Sequence, residues 1–248
     1  MKKLILCLIF AAGCYAAAAQ QPADTDSATM VVERYLKILN YEAIRNDSIL
    51  YVESFITNRN DPSDTLQMRR WFMWPNLNRT ELWHHGVMKF GLVSNGHGRY
   101  RRFDADKRVW KDAQEFSYLD QAMAYDYRGP LYRWDMNGLE LIYQGEWNYN
   151  SNKVYRILVK DPARFDRYYM FEKESGLLFL IKELETHGDD VVTSDIHVDW
   201  RAYHEYQPFG HSLLPSAESY QKGASITIIH HSYRYLPADT SIFNRDKR

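Results

Sequence analysis

Cysteine is almost absent from this 248-residue chain: there are two, Cys7 and Cys14, both close to the N-terminus. If that stretch is removed on export, no disulfide, thiolate metal site or cysteine nucleophile remains, and burial alone has to hold the fold. Charge of one sign is missing as well, since 31 Lys and Arg stand against 32 Asp and Glu. A chain so balanced has no basic footprint, which argues against sequence-independent nucleic-acid binding. Long apolar runs are lacking too. The longest, Leu4 to Gly13, is about ten residues, where a membrane-spanning helix needs roughly 20. There is no G-x-S-x-G elbow, no P-loop and no dinucleotide glycine pattern after a strand. The one glycine cluster, Asn95-Gly96-His97-Gly98, suits a tight hairpin turn.

What the chain does have is aromatic surface. Aromatic residues make up 15% of it, led by 19 Tyr, within a hydrophobic fraction of 45%, and such side chains favour pleated, half-buried surfaces. The N-terminus reads as a secretory signal over residues 1–19: Lys2 and Lys3, the apolar run, then small residues Ala16 to Ala19. Cleavage after Ala19 is preferred. Ala11-Ala12-Gly13-Cys14 resembles a lipoprotein signal that would place a lipid anchor on Cys14, but Leu is absent from the third position before the cysteine. Residues 20–248 show no repeat, linker or low-complexity tract, and read as one domain.

Ser27 can cap a helix running to about Leu39, with Val32, Tyr35, Leu36 and Leu39 on one face. From Ser48 onward, short apolar or alternating runs are broken by turn chemistry at Asn60 to Asp64, Pro75 to Asn78, Asn95-Gly96, Asn150 to Asn152, Glu174 to Gly176 and Pro208 to Gly210. That rhythm predicts an antiparallel meander of twelve strands starting at 49, 65, 79, 87, 98, 139, 153, 166, 177, 195, 216 and 224. One interruption looks helical. Ser117 and Asp120 open it around Leu119 and Met123, Gly129-Pro130 restarts it with Leu131 and Trp134, and Asn137-Gly138 ends it. The expected class is mainly β: a curved antiparallel sheet with the N-terminal helix and a short helical insert on one face.

Several strands are more apolar than a one-sided sheet requires. Leu66, Met68 and Phe72 alternate on one strand with Arg70 among them, and Met88, Phe90 and Leu92 alternate on another. Tyr155, Ile157 and Val159 share a face, and the run Leu177 to Leu184, with Leu178 and Leu180, is apolar on both. A well-filled interior would account for this. So would a bent sheet enclosing more apolar space than its own side chains fill. Pattern alone leaves both open.

Further cues follow in order. They include the helix residues Val31, Val32, Tyr35, Leu36, Ile38 and Leu39; the Arg-bearing strand before Pro75-Asn76 with Arg79 and Glu81 after it; Asn95-Gly96; and Trp110 ahead of the insert. Then come Leu139 to Gly145, the strand Tyr168 to Phe171 with Tyr169, Glu174-Ser175-Gly176 before Leu177 to Ile181, Leu214-Pro215, and Ser241-Ile242-Phe243. In this order the chain resembles the periplasmic outer-membrane lipoprotein carrier (LolA/LolB-like) family over nearly all of its exported length. The resemblance implies an open antiparallel β half-barrel whose hydrophobic concave face is lidded by helices and accepts acyl chains. It implies a non-enzymatic monomer in the periplasm, without cofactor, bound to a lipid or acylated lipoprotein and served by a membrane-bound loading or unloading partner. The ligand face would be Leu66, Met68, Phe72, Met88, Phe90, Leu92, Tyr155, Ile157, Val159, Tyr169, Phe171, Leu178 and Leu180, and the lid Leu119, Met123, Leu131 and Trp134. The family also uses an arginine that reaches the lid from the sheet, for which Arg69, Arg70 and Arg79 are candidates.

Other chemistries fit less well. His84-His85 and His230-His231 are adjacent pairs, and neighbours on a strand face opposite sides, so no metal site is expected from them. Asp189-Asp190 and the pair Asp104 and Asp106 lie in turn-like contexts where Asp serves its own backbone. Arg99 to Arg108 reads as a guarded strand edge, although it would also suit an anionic surface. The alternative to a lipid carrier is a binding module that offers Tyr and Trp to a glycan or a partner protein.

Overall fold

The structure is a computed structural model that describes residues 25–74, 77–95, 100–113, 128–129, 131–162, 166–183, 186–187, 190–191, 200–222 and 225–244. It starts with the helix α1 (Thr25–Leu39). Ala28, Val32, Tyr35 and Leu39 repeat at helical spacing and are all buried. Asn40, in the left-handed region at φ 48, ends the helix, and a short 3-10 turn Tyr41–Ala43 follows.

Six strands form the first block: β1 (Ile49–Asn58), β2 (Asp61–Met73), β3 (Leu77–His84), β4 (Val87–Asn95), β5 (Tyr100–Asp104) and β6 (Val109–Ala113). The second block holds β7 (Glu140–Tyr149), β8 (Asn152–Lys160), β9 (Arg167–Glu172), β10 (Leu178–Glu183), the two-residue pair β11 (Thr186–His187) and β12 (Asp190–Val191), β13 (Trp200–Phe209), β14 (Ser212–Lys222) and β15 (Ser225–Leu236). A 3-10 turn, Thr240–Phe243, comes last. Thirteen strands make one open sheet in the order β6-β5-β4-β3-β2-β1-β15-β14-β13-β10-β9-β8-β7. Each block is a meander, and the two are sewn together where β1 pairs with β15.

This order leaves β6 and β7, which are separated in the chain only by residues 114–139, as the two edges of the sheet. The connection therefore has to pass from one edge to the other. Its described part crosses the concave side: Leu131 is buried in the same cluster as Val32, Tyr35 and Leu39 of α1, with Tyr132 and Trp134 packed against it. Arg128 and Arg133 lie over the rings of Trp74 and Tyr132, and Tyr132 donates to Glu42 at 2.5 Å. Residues 131–138 are consecutive turns and not the expected helical piece. Arg133 adopts φ 54 and Gly138 φ 70, and a right-handed helix accommodates neither. Leu119 and Met123 lie outside the described residues.

Two departures from the expected strands have local causes. β6 has no alternating pattern to predict it, because its larger apolar residues, Val109 and Trp110, are adjacent and charged Lys111 and Asp112 follow. The run from Leu177 is interrupted by a bulge between Leu178 and Leu180, and beyond β10 Thr186–His187 pairs with β12 as a separate two-stranded sheet.

The convex face carries two clusters of its own. Val154, Met170, Leu180 and Ala202 form one. Ile49, Val93 and Phe243 form the other, with Trp71 and Trp110 against it. Trp110 lies so close over Gly91 that a Cβ there would fall 2.5 Å from the indole, which explains a glycine inside a strand.

Candidate functional site

The concave face is the one that α1 covers, and strand register decides which residues reach it. Leu50 stands between Phe72 and Tyr235, Val52 between Arg70 and Tyr233, Ser54 between Met68 and His231, and Ile56 between Leu66 and Ile229. Across the next strands Arg70 faces Thr80, Met68 faces Leu82, Thr80 faces Leu92 and Leu82 faces Phe90. Partners across a ladder share a side, so all these residues belong to one continuous surface.

The residues expected to line a ligand face fall into three groups. Phe72, Ile157, Val159, Tyr169, Phe171 and Leu178 are buried in the same cluster as Val32, Tyr35 and Leu39 of α1, joined by Leu50, Val52 and Leu214. Tyr35 of α1 meets Phe171 edge-on at 5.3 Å. Tyr155 shares this side through its pairing with Phe171. The second group, Leu66, Met68, Phe90 and Leu92, lies on the same face on β2 and β4 but belongs to none of the three packed clusters among the described residues. Of these, Met68, Phe90 and Leu92 are buried. The third group leaves the concave side. A register shift pairs Met88 with Trp83, and the bulge in β10 sends Leu180 to the convex cluster with Met170. A bulge reverses the parity on which period-two reading depends.

The three candidate arginines separate just as cleanly. Arg69 lies opposite Glu53 and Glu81 on the convex side with Glu53 at 3.6 Å. Arg79 is convex as well, bonded to Glu81 and donating to the Ile242 carbonyl at 2.7 Å, with the rings of Trp71 and Trp110 beneath its guanidinium. Arg70 alone of the three is concave. It lies over Phe72, and burial lowers its pKa from the ordinary arginine value.

Register also brings a polar cluster to this face that composition did not reveal. Glu218 is buried, accepts from His231 Nε2 at 3.2 Å and has Arg201 at 3.8 Å. His231 Nδ1 meets Ser54 Oγ at 2.7 Å. Burial works to raise the Glu218 pKa, but Arg201, His231 and Arg70 outweigh it and bring it down to about 2. Burial lowers His231 against the pull of Glu218, and it raises Tyr203 and Tyr233 above the ordinary tyrosine value. The alternation of Tyr233 and Tyr235 was a readable signal for this face; the charges on β13 and β14 could be placed only by register.

At the rim, Asp64, His84 and His85 bring their ligand atoms within 4.8 Å of one another. His85 is not in a strand: it and Gly86 form a left-handed two-residue hairpin turn at φ 48 and 76. The rings of His84 and His85 therefore lie 4.0 Å apart, so the alternation argument does not apply to this pair. His84 Nε2 is already bonded to Asp64 at 2.5 Å. For His230 and His231 the alternation does hold, since their strand partners are Phe55 and Ser54.

An open antiparallel sheet with one amphipathic helix laid in its hollow defines a class of half-barrel folds. The chain has a LolA-like fold. A LolA superfamily protein from Nitrosomonas europaea superposes with a TM-score of 0.59 at 9% identity, over 88% of this chain and 98% of its own. A DUF1329 family protein from Desulfovibrio piger gives 0.59 at 10% identity, over 87% and 96%. A putative outer membrane lipoprotein-sorting protein domain from Vibrio parahaemolyticus gives 0.54 at 10%, over 86% and 97%. No family model matches the sequence, and no curated protein matches it. No helix among the described residues is long and apolar enough to cross a membrane.

Proposed function

We propose that the chain is an exported, periplasmic, non-enzymatic carrier that holds the acyl chains of a lipid or lipoprotein against its concave face, with residues 1–19 as the export signal and 20–248 as one binding domain. The observation that carries this is the apolar surface of Leu66, Met68, Phe90 and Leu92, which continues the concave face past the cluster under α1. The sorting domain among the structural neighbours is consistent with it.

Each buried CH₂ is worth about 0.8 kcal/mol, so ten methylenes hold a chain by roughly 8 kcal/mol. Delivery requires that the vacated face be refilled by the protein's own side chains. Leu131 and Trp134, already packed on the concave side, are suited to that role, together with Leu119 and Met123. The rival reading, an aromatic platform for a glycan or partner, has less support because arginines already lie over four of the tryptophan rings. Arg156 lies 3.5 Å from the centroid of Trp147, Arg79 covers Trp71 and Trp110, and Arg128 and Arg133 cover Trp74.

Displacement of a hydrophobic fluorescent dye by fatty acid, below the critical micelle concentration, tests the reading. Saturable displacement that is weakened by Met68→Asp is expected. Absence of dye uptake, together with native mass spectra showing bare protein only, would refute it.

A further inference from the structure

We propose that Arg70 and Asn78 form a seat for the head of a singly charged anionic amphiphile on the concave face. Buried hydrogen-bond donors in folded proteins find acceptors with few exceptions. Here Arg70 Nε and Asn78 Nδ2 are both buried and lack one. They are neighbours: Arg70 stands opposite Thr80, and Phe72, two residues along from Arg70, stands opposite Asn78. The two orphaned donors therefore lie on one cross-strand diagonal of the same face, a separation that long polar side chains span. Two other orphans, Arg69 Nε and Arg156 Nε, have their charge answered on the convex side, by Glu53 at 3.6 Å and by the face of Trp147 at 3.5 Å.

The charge balance points the same way. The groups facing this region from β13, β14 and β15 are Arg201, Tyr203, Glu218, His231 and Tyr233. Glu218 is the one carboxylate in that set, and Arg201 and His231 already engage it. Arg70, Arg201 and Glu218 together leave one positive charge in excess, next to Met68, Phe90 and Leu92. An anion with two oxygen acceptors would satisfy the guanidinium fork and the amide together, while its tail follows the apolar face. Carboxylate and phosphodiester heads share that chemistry. This inference rests on the carrier reading and names its ligand class.

The test compares laurate with dodecanol, its neutral counterpart, in displacing an uncharged dye from the wild type and from Arg70→Met. Lauroyl lysophosphatidylglycerol supplies the phosphodiester arm. Wild type should prefer an anionic amphiphile over dodecanol by about tenfold or more, the scale of one charge-assisted hydrogen bond. R70M should erase that preference, and a cooperative urea transition shows that the variant is folded. Asn78→Leu, which keeps the volume, should reduce the preference in part. Whichever anion shows the Arg70-dependent preference identifies the head. Equal binding of anion and alcohol by wild type, or a preference that survives in R70M, would overturn the proposal and leave the carrier intact. If neither amphiphile binds, both readings fall.

Discussion

Burial pushes the Glu218 carboxyl pKa up, and its neighbours reverse that. Arg201, the His231 hydrogen bond and Arg70 bring it down to about 2, below the ordinary glutamate value near 4.3. A carboxyl whose folded-state pKa is depressed contributes stability that is present above its unfolded value and lost as pH falls towards the folded one. His231 is lowered by burial, so the unfolded chain takes up its proton first, beginning near the ordinary value of about 6.5. Both groups thus make acid destabilising, His231 from about pH 6.5 down and Glu218 from about pH 4.5 down. Glu218→Leu leaves His231 Nε2 buried without its acceptor, at an expected cost of about 1–3 kcal/mol at pH 7. Urea denaturation from pH 7 to pH 2.5 checks this: the gap between variant and wild type should narrow as the wild-type carboxylate begins to protonate. A gap independent of pH would show that Glu218 acts by packing and not by charge.

At the scale of elements, α1 packs its apolar face into the main cluster and is hydrogen-bonded to the turn between β9 and β10. Arg34 donates from Nη1 to the Lys173 carbonyl at 3.1 Å and from Nη2 to the Glu174 carbonyl at 2.8 Å. Gly176 in the same turn lies at φ 74, and a Cβ there would sit 2.8 Å from Arg34 Nε and 2.9 Å from Ile38 Cδ1. Gly210 also has a positive φ, 62, but open space around it. Gly210→Ala should therefore cost only the left-handed strain, about 1–2 kcal/mol, while Gly176→Ala should cost more, because the ends of the Arg34 and Ile38 side chains must also move aside and Arg34 is pushed off its bonds to the turn. Equal losses in chemical denaturation would mean that the helix does not depend on that contact. The glycine, the helix face and the meander were all legible as sequence, because 3.6-residue and two-residue periods survive translation into structure. What was not legible came from breaks in period. The bulges at β4 and β10 turned Met88 and Leu180 outward, the left-handed His85 brought two rings together, and Arg133 replaced a helix with turns. The cluster of Glu218, His231 and Arg201 depends on pairing β13, β14 and β15 in register, information that no local window holds.

Across the whole molecule the sheet divides into two parts with different support. Strands β8 and β9 have paired neighbours on both sides, and their concave residues Ile157, Val159, Tyr169 and Phe171 lie in the cluster under α1. β5 and β6 at the opposite edge are five residues each, and none of their residues is buried. Opening free energy follows buried contact and ladder pairing, so amide exchange should be slowest in β8 and β9 and fastest in β5 and β6. The carrier reading adds a directional expectation. A ligand that occupies the face of Leu66, Met68, Phe90 and Leu92 stabilises the strands it covers and adds little to strands already packed beneath a helix. Saturating fatty acid should therefore slow exchange in β2, β3 and β4 several-fold while leaving β8 and β9 unchanged, as hydrogen–deuterium exchange with peptide-level mass spectrometry would resolve. If protection rises in β8 and β9 instead, the ligand displaces α1 from the sheet, and the binding face is the cluster that the protein fills for itself when empty.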